Sequence, residues 1–263
     1  MIIDLHCHTH HSHDAFTTPL ELLRSCLARG INAVAITDHD CIAHSTIRFL
    51  NSHGIEVIPG CEFTDHTGAH IIGLFVKRTL PIGSNTELVL SHIHTEGGFC
   101  LMPHPWKPGS GYMVMNGNLD LVSRFHFVEL INGGWPSQSY ATEIVKLATS
   151  YNLRMIATSD SHKACQVGLC CTRFLNSSCF SSVYNLLKFS KQKDMDLLID
   201  SSMLRRVGRR TNPIQRSSIY QSILPFIPCS IRRIAKILHY RLTASRSIQP
   251  VQFSSVDTSA SPW

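Results

Sequence analysis

From its first residues to about residue 175 the chain alternates short apolar runs with longer amphipathic stretches. Short runs rich in β-branched residues, bounded by turn signals, read as buried strands. They fall at 2–5, 33–37, 55–59, 70–76, 98–102, 125–131 and 154–158, with a further short one at 171–175. Between them the apolar positions recur at helical spacing, over 19–29 (Leu20, Leu23 and Leu27 on one face), 42–52, 87–96, 137–151 and 181–191. Strand and helix in this alternation predict βα units and a mostly parallel sheet. Seven such strands, with no glycine-rich dinucleotide loop, predict a closed or nearly closed barrel rather than a doubly wound sheet.

The polar residues that interrupt this pattern cluster at the C-terminal ends of the strands. His6 and His8, Asp38 and His39, Glu62, His104, and Asp160 and His162 each stand at or just past such an end. In α/β barrels that face carries the chemistry. The first and last of these segments, Asp4-Leu5-His6-Cys7-His8 and Thr158-Ser159-Asp160-Ser161-His162, each place two metal-ligand side chains at i and i+2. On a strand those positions share a face, so two such ends side by side aim four ligands at one point, while Cys7 points away.

Composition changes this picture mainly beyond residue 200. Residues 1–200 carry 14 basic and 17 acidic side chains, whereas 201–263 carry ten Lys/Arg against Asp257 alone, within a net charge of +6. The later segment has scattered arginines, serines and three prolines over 205–228. It then has an amphipathic helical stripe near 230–242 (Ile231, Ile234, Ala235, Leu238, Leu242), and a serine-rich end expected to be disordered. The chain thus divides into a barrel over 1–200 and a basic C-terminal extension over 201–263. A basic amphipathic helix docks on an anionic membrane surface or on nucleic acid, or packs its apolar face on the barrel. Fifteen of the 16 histidines lie at or before His162. The ten cysteines include no C-x-x-C and read as thiols of a reducing compartment rather than zinc ligands. Asp4 and three histidines interrupt the first ten residues, so no signal peptide is expected. No apolar run is long enough for a spanning helix, and a cytoplasmic placement is expected, peripheral to membrane through the C-terminal segment.

Six motifs appear in order: Asp-Leu-His-x-His-Thr at 4–9, Ile36-Thr37-Asp38-His39-Asp40, Pro59-Gly60-Cys61-Glu62, His70-Ile71-Ile72-Gly73-Leu74, Pro103-His104-Pro105 and Ser159-Asp160-Ser161-His162. Together they resemble the PHP family, named after polymerase and histidinol phosphatase, over roughly residues 1–175. The resemblance implies a distorted (β/α)7 barrel holding two or three divalent metals. Carried over motif by motif, His6, His8, Glu62 and Asp160 would hold one metal. Glu62 would bridge to a second, completed by His70 and His104. Asp14, His39 and His162 would take a third. His13 competes with Asp14 for the loop position, where the family usually has Asp or His followed by Gly and this chain has His13-Asp14-Ala15. His92 and His94 compete with His70. Imidazoles with bridging carboxylates suit Mn, Zn or Fe, and the residues do not choose among them.

The chemistry expected of such a cluster is phosphoester hydrolysis by metal-bound hydroxide. Bound cations lower the pKa of water toward about 7 and neutralise charge on phosphate oxygens. The sequence shows no Gly-x-Ser-x-Gly elbow and no P-loop, so neither a serine nucleophile nor nucleotide-driven work is expected. His10, His11 and Lys163 are candidates for protonating the leaving oxygen or contacting phosphate, with Lys107 and Arg173 as further cations. Asp4 and Asp38 are expected to hydrogen-bond an imidazole N–H and fix its tautomer, with Asp40 in that role or as a ligand. Glu129 is a further barrel-mouth residue with no role assigned. The motif variants resemble the branch acting on nucleotides and short nucleic-acid ends. Only 33 residues separate His70 from His104, so a domain inserted there in longer relatives is missing, and an open site would accept several phosphomonoesters. A nuclease on short nucleic-acid ends, an amidohydrolase-like hydrolase, and a non-catalytic tethered binding module are the rival readings. The amidohydrolase reading needs a carbamylated lysine where this chain has Glu62.

Overall fold

The computed structural model describes residues 1–135 and 137–200. The expected basic extension at 201–263, with its helix near 230–242, lies outside the described residues. Nine strands form one sheet: β1 (Ile2–Cys7), β2 (Ala33–Ile36), β3 (Glu56–Thr64), β4 (His70–Leu74), β5 (Phe99–Met102), β6 (Phe127–Asn132), β7 (Arg154–Thr158), β8 (Cys170–Phe174) and β9 (Met195–Ile199). Their order is β7-β6-β5-β4-β3-β2-β1-β8-β9. The two ends of the seven-strand run meet again beyond β7. There Cys7 bridges Ser161 in parallel, Asp160 N–H donates to His6 O (2.9 Å) and His8 N–H to Ser161 O (2.9 Å). The result is a nearly closed barrel with β8 and β9 added beside β1.

One apolar cluster draws side chains from all seven strands: Ile3 and Leu5, Ala33 and Ala35, Ile58, Ile72 and Leu74, Phe99 and Leu101, Phe127, and Ile156. Only the inside of a closed sheet can collect residues from every strand in this way. Phe174, Met195 and three residues of α6 (Val183–Phe189) join it and plug the barrel beside the N-terminal ends of the strands. The outer faces pack on α1 (Pro19–Ala28), α2 (His44–Ser52), α3 (Thr86–Thr95), α4 (Tyr112–Met115) and α5 (Ala141–Tyr151). α1 opens on a capping box, Thr18 with Glu21, and Pro19 in its first turn. Its buried face is Leu22, Leu23 and Cys26, whereas Leu20 and Leu27 of the expected stripe are exposed. The stripe turned because Cys26 serves as an apolar core residue.

Two departures from the expected parallel barrel position the site. β3 runs on past Pro59, pairing β2 in parallel up to that residue and β4 antiparallel from Gly60 to Thr64. β4 is antiparallel to both neighbours, reached through a tight turn in which Asp65 Oδ1 accepts the N–H groups of Thr67 and Ala69. The expected strands at 55–59 and 70–76 are therefore the two arms of a hairpin. β9, not foreseen in the sequence, pairs antiparallel with β8. Among the described residues, no helix is long and apolar enough to cross a membrane.

Candidate metal centre

Strand alternation carries interior residues directly into the mouth. On β3, Ile58, Gly60 and Glu62 share a face, and on β4 so do His70, Ile72 and Leu74. On β1 and β6 simple alternation would fail. The register shifts between Asp4 and Cys7, so Leu5 fills the interior while His6 and His8 also turn inward and Cys7 packs outside with Leu22 and Cys26. A second shift between Glu129 and Ile131 puts Leu130 and Ile131 both in the outer core. Bulges re-aim side chains in this way next to functional sites. His104 and Asp160 sit at φ of 28° and 47°, a left-handed conformation that costs a non-glycine residue of order 1–3 kcal/mol.

The nine residues expected from the motifs, which come from seven separate segments, meet in one cluster. Glu62 is its centre. Its Oε2 lies 3.2 Å from His6 Nε2, 3.1 Å from His8 Nε2 and 3.4 Å from His39 Nδ1. Its Oε1 faces His70 Nδ1 at 2.9 Å and His104 Nε2 at 3.2 Å. Asp160 Oδ1 stands 3.3 Å from His6 Nε2, 3.5 Å from His8 Nε2 and 3.7 Å from His162 Nδ1. Asp14 Oδ2 closes the group at 3.1 Å from His162 Nε2 and 3.5 Å from His39 Nε2. His13 is exposed, its ring centre 5.2 Å from that of His39. His92 and His94 point instead at backbone carbonyls, of Arg78 and Arg124.

Tautomers at the centre follow from partners that can only accept. Glu129 Oε1 lies 2.7 Å from His6 Nδ1, and a carboxylate accepts, so that nitrogen carries the hydrogen. Ser12 donates its hydroxyl to Asp38 Oδ1 (2.8 Å) and so accepts from His8 Nδ1 (3.0 Å). Both Nε2 atoms therefore present lone pairs, 3.0 Å apart, toward two carboxylate oxygens. Four acceptors facing one another in a buried site repel unless a proton or a cation lies between them. With protons alone, burial pushes the two imidazoles down but the carboxylates of Asp160 and Glu62 outweigh it. They raise His6 well above the ordinary histidine value and His8 to about 9. Burial works to raise Glu62, yet His6, His70 and His39 hold it well below the carboxylate range. Burial depresses His39 to about 4, with His8 and His70 adding to the effect. Glu62, Glu129 and Asp160 are all buried carboxylates, a concentration of charge that calls for cations. Three groups here have ligand atoms close enough to share one ion: His6, His8 and Asp160; His8, His39 and His162; His39, Glu62 and His70.

The expected supporting carboxylates have different partners. Asp4 accepts the N–H groups of Ser159 and Gly168, tying β1 to the loop after β7. Asp38 accepts from Thr9 N–H, Thr9 Oγ1 and Ser12 Oγ, and so reaches His8 only through a hydroxyl. Asp40 accepts from Thr64 N–H and Oγ1. None of the three hydrogen-bonds an imidazole directly. That role falls to Glu129, which also takes Thr158 Oγ1 (2.6 Å) on Oε1 and His104 N–H and Asn132 Nδ2 (both 2.7 Å) on Oε2. His10, His11 and Lys163 are exposed and make no hydrogen bond with the nine; His11 pairs with Ser45 instead. Among the described residues Lys107 makes no side-chain ion pair. Arg173 pairs in register with Ile2 at the opposite end of β1, out of reach of the mouth.

Comparison with known proteins identifies the family. The PHP domain model matches residues 4–109, and the PHP-associated model matches 141–190. A protein of Methanocaldococcus jannaschii described as uncharacterised is 33% identical over 141 residues, 48% of this chain and 82% of that protein. A 5'-3' exoribonuclease of Haemophilus influenzae is 39% identical over 83 residues, 30% of each chain. Among solved structures, a two-domain Bacteroides vulgatus protein containing a predicted PHP-like metal-dependent phosphoesterase superposes with a TM-score of 0.61 at 18% identity, covering 80% of this chain and 69% of that one. Matched by the two family models over 4–109 and 141–190 and across most of the length of its Methanocaldococcus jannaschii relative, the chain belongs to the PHP domain family.

Proposed function

We propose that the protein is a metal-dependent phosphoesterase that hydrolyses phosphomonoesters of nucleotide type or of other small phosphorylated metabolites. The observation that carries it is the convergence of His6 Nε2, His8 Nε2, Glu62 Oε2 and Asp160 Oδ1, acceptors on all sides with both Nδ1 hydrogens already committed elsewhere. The donor set fits divalent cations of the Mn, Zn or Fe kind. His6, His8, Asp160 and Glu62 would hold one; Glu62 through its other oxygen, His70 and His104 a second; Asp14, His39 and His162 a third. When bound, such ions supply a nucleophilic water at neutral pH and charge against the phosphate oxygens.

The chain's own residues do the rest. Glu129 fixes His6 in the Nδ1–H form, and Ser12 with Asp38 does so for His8, so both rings meet a cation with a lone pair and without rotation. Glu62 presents one oxygen to each half of the cluster, and its charge would offset repulsion between cations held there. A carboxylate in that central place, rather than a modified lysine, favours phosphoester over amide chemistry. The stretch shared with the exoribonuclease favours a second reading, hydrolysis at short nucleic-acid ends, by the same cluster. Metal analysis of the purified protein, with a phosphate-release screen across nucleotides, sugar phosphates and short oligonucleotides, tests both. Bound divalent metal and release that is lost in His6→Ala are expected. Release surviving both metal stripping and His6→Ala overturns the proposal.

A further inference from the structure

The barrel mouth also carries an aromatic tier that the hydrolytic chemistry does not use. The rings of Trp106 and Tyr140 lie 6.2 Å apart and 10° from parallel, and those of Tyr140 and Trp135 lie 5.5 Å apart and 20° from parallel. All three are half-buried. Trp106 and Tyr140 pack against the outer core, which explains their apolar side; Trp135 is not part of that cluster.

Trp135 is tied to the metal centre through its backbone. Its N–H donates to Asn132 Oδ1 (2.6 Å), Asn132 Nδ2 donates to Glu129 Oε2 (2.7 Å), and Glu129 Oε1 accepts from His6 Nδ1 (2.7 Å). The two residues between are glycines pressed against the cluster. A Cβ on Gly133 would come within 2.5 Å of Ser159 O, and one on Gly134 within 2.7 Å of Asp160 Oδ2. Trp106 stands two residues past His104, separated from it by Pro105. The tier is thus held at the rim by a segment whose two glycines lie against Ser159 and Asp160.

A phosphate does not stack, so this surface speaks to the rest of the substrate. Near-parallel rings present a flat π surface, which any nucleobase can cover because every base has a π-face. A sugar would need hydrogen-bonding side chains beside the indole for its hydroxyls, and the residues flanking Trp135 are Gly133, Gly134 and Pro136. We propose that Trp135, backed by Tyr140 and Trp106, is a stacking platform for the nucleobase of the substrate. The preferred substrates are then base-bearing phosphoesters, with little discrimination among bases. This rests on the phosphoester reading of the cluster.

The metal-loaded full chain is to be titrated with adenosine monophosphate, adenosine, ribose phosphate and inorganic phosphate, reading tryptophan fluorescence, with phosphate release measured from the two esters. Saturable fluorescence changes are expected with the monophosphate and with adenosine, but not with ribose phosphate. Trp135→Ala is expected to abolish them and to raise KM for adenosine monophosphate about 5- to 100-fold with kcat nearly unchanged. KM for ribose phosphate should not move, and Trp135→Phe should restore most of the loss. A KM for the nucleotide that is the same in Trp135→Ala, or a preference for ribose phosphate that depends on Trp135, overturns the platform. If neither ester is hydrolysed the phosphoester reading fails. The adenosine titration still judges the platform, since a response lost in Trp135→Ala supports it and no response overturns it.

Discussion

His6 has its Nδ1 hydrogen committed to a carboxylate that lies 123 residues away in sequence, and this one contact determines what its other nitrogen can do. Replacing Glu129 by Gln keeps the shape but allows the amide to present either an acceptor or a donor. Metal affinity or turnover is expected to fall about 10- to 100-fold, as for the loss of other orienting partners. Metal analysis beside steady-state kinetics checks it, and unchanged values in both would show that His6 needs no orientation. The protonation balance gives a second prediction. His8 has a folded value of about 9 in the metal-free site against an ordinary 6.5. A raised value contributes stability that is complete below about 6.5 and fades as pH rises through 9. A bound cation replaces those protons. Metal-stripped protein should therefore lose thermal stability between pH 6.5 and 9, and its gap from the loaded protein should widen over the same range. Melting curves with and without chelator test this; a narrowing gap contradicts it. Eight of the nine cluster residues were legible because each stands in a short local motif, whereas Asp14 lies outside the motifs and competed with His13 for its place. The jobs of Glu129 and Ser12 were not legible, since Glu129 lies 123 residues from His6 and Ser12 is committed to His8 by its bond to Asp38, 26 residues away.

The same contrast appears among the elements. Seven strands were legible as apolar runs, and the five expected helices lie within a few residues of α1, α2, α3, α5 and α6, whereas α4 was not foreseen. The pairing of β3 was not, because Pro59-Gly60 reads as the end of a strand, whereas here the glycine lets one strand change partners without stopping. A Cβ on Gly60 would lie 2.9 Å from Gly73 O and 3.1 Å from Thr37 Cγ2. Gly60→Ala must therefore push β3 away from β2 or β4, two residues from Glu62. A destabilisation of about 1–3 kcal/mol is expected, as for other overpacked sites, together with weaker metal retention. Chemical denaturation and metal analysis read the two effects. Stability lost with metal content intact would mean that the hairpin absorbs the strain away from Glu62. The bulges in β1 and β6 escaped the alternation rule for a related reason: an extra residue in a strand changes which face is buried without changing composition.

At the scale of the whole molecule, all nine cluster residues lie within residues 1–200, while the chain's basic excess falls beyond them. The cluster concentrates buried carboxylates at one end of the barrel, and an anionic substrate reaches it only when cations compensate that charge. Ten Lys/Arg against one acid in 201–263 form a separate electrostatic element whose attraction for polyanions must weaken as salt rises. A chain ending at residue 200 is accordingly expected to fold, retain metal and keep the kcat of the full chain on a small phosphomonoester. The full chain alone should bind anionic vesicles or oligonucleotides, with affinity falling steeply between low and moderate salt. Co-sedimentation and fluorescence anisotropy across a salt series, beside kinetics of both chains, separate the two elements. Equal polyanion binding by both chains would place that binding on the barrel. Loss of metal in the shorter chain would mean that the extension completes the barrel rather than serving as a separate basic arm.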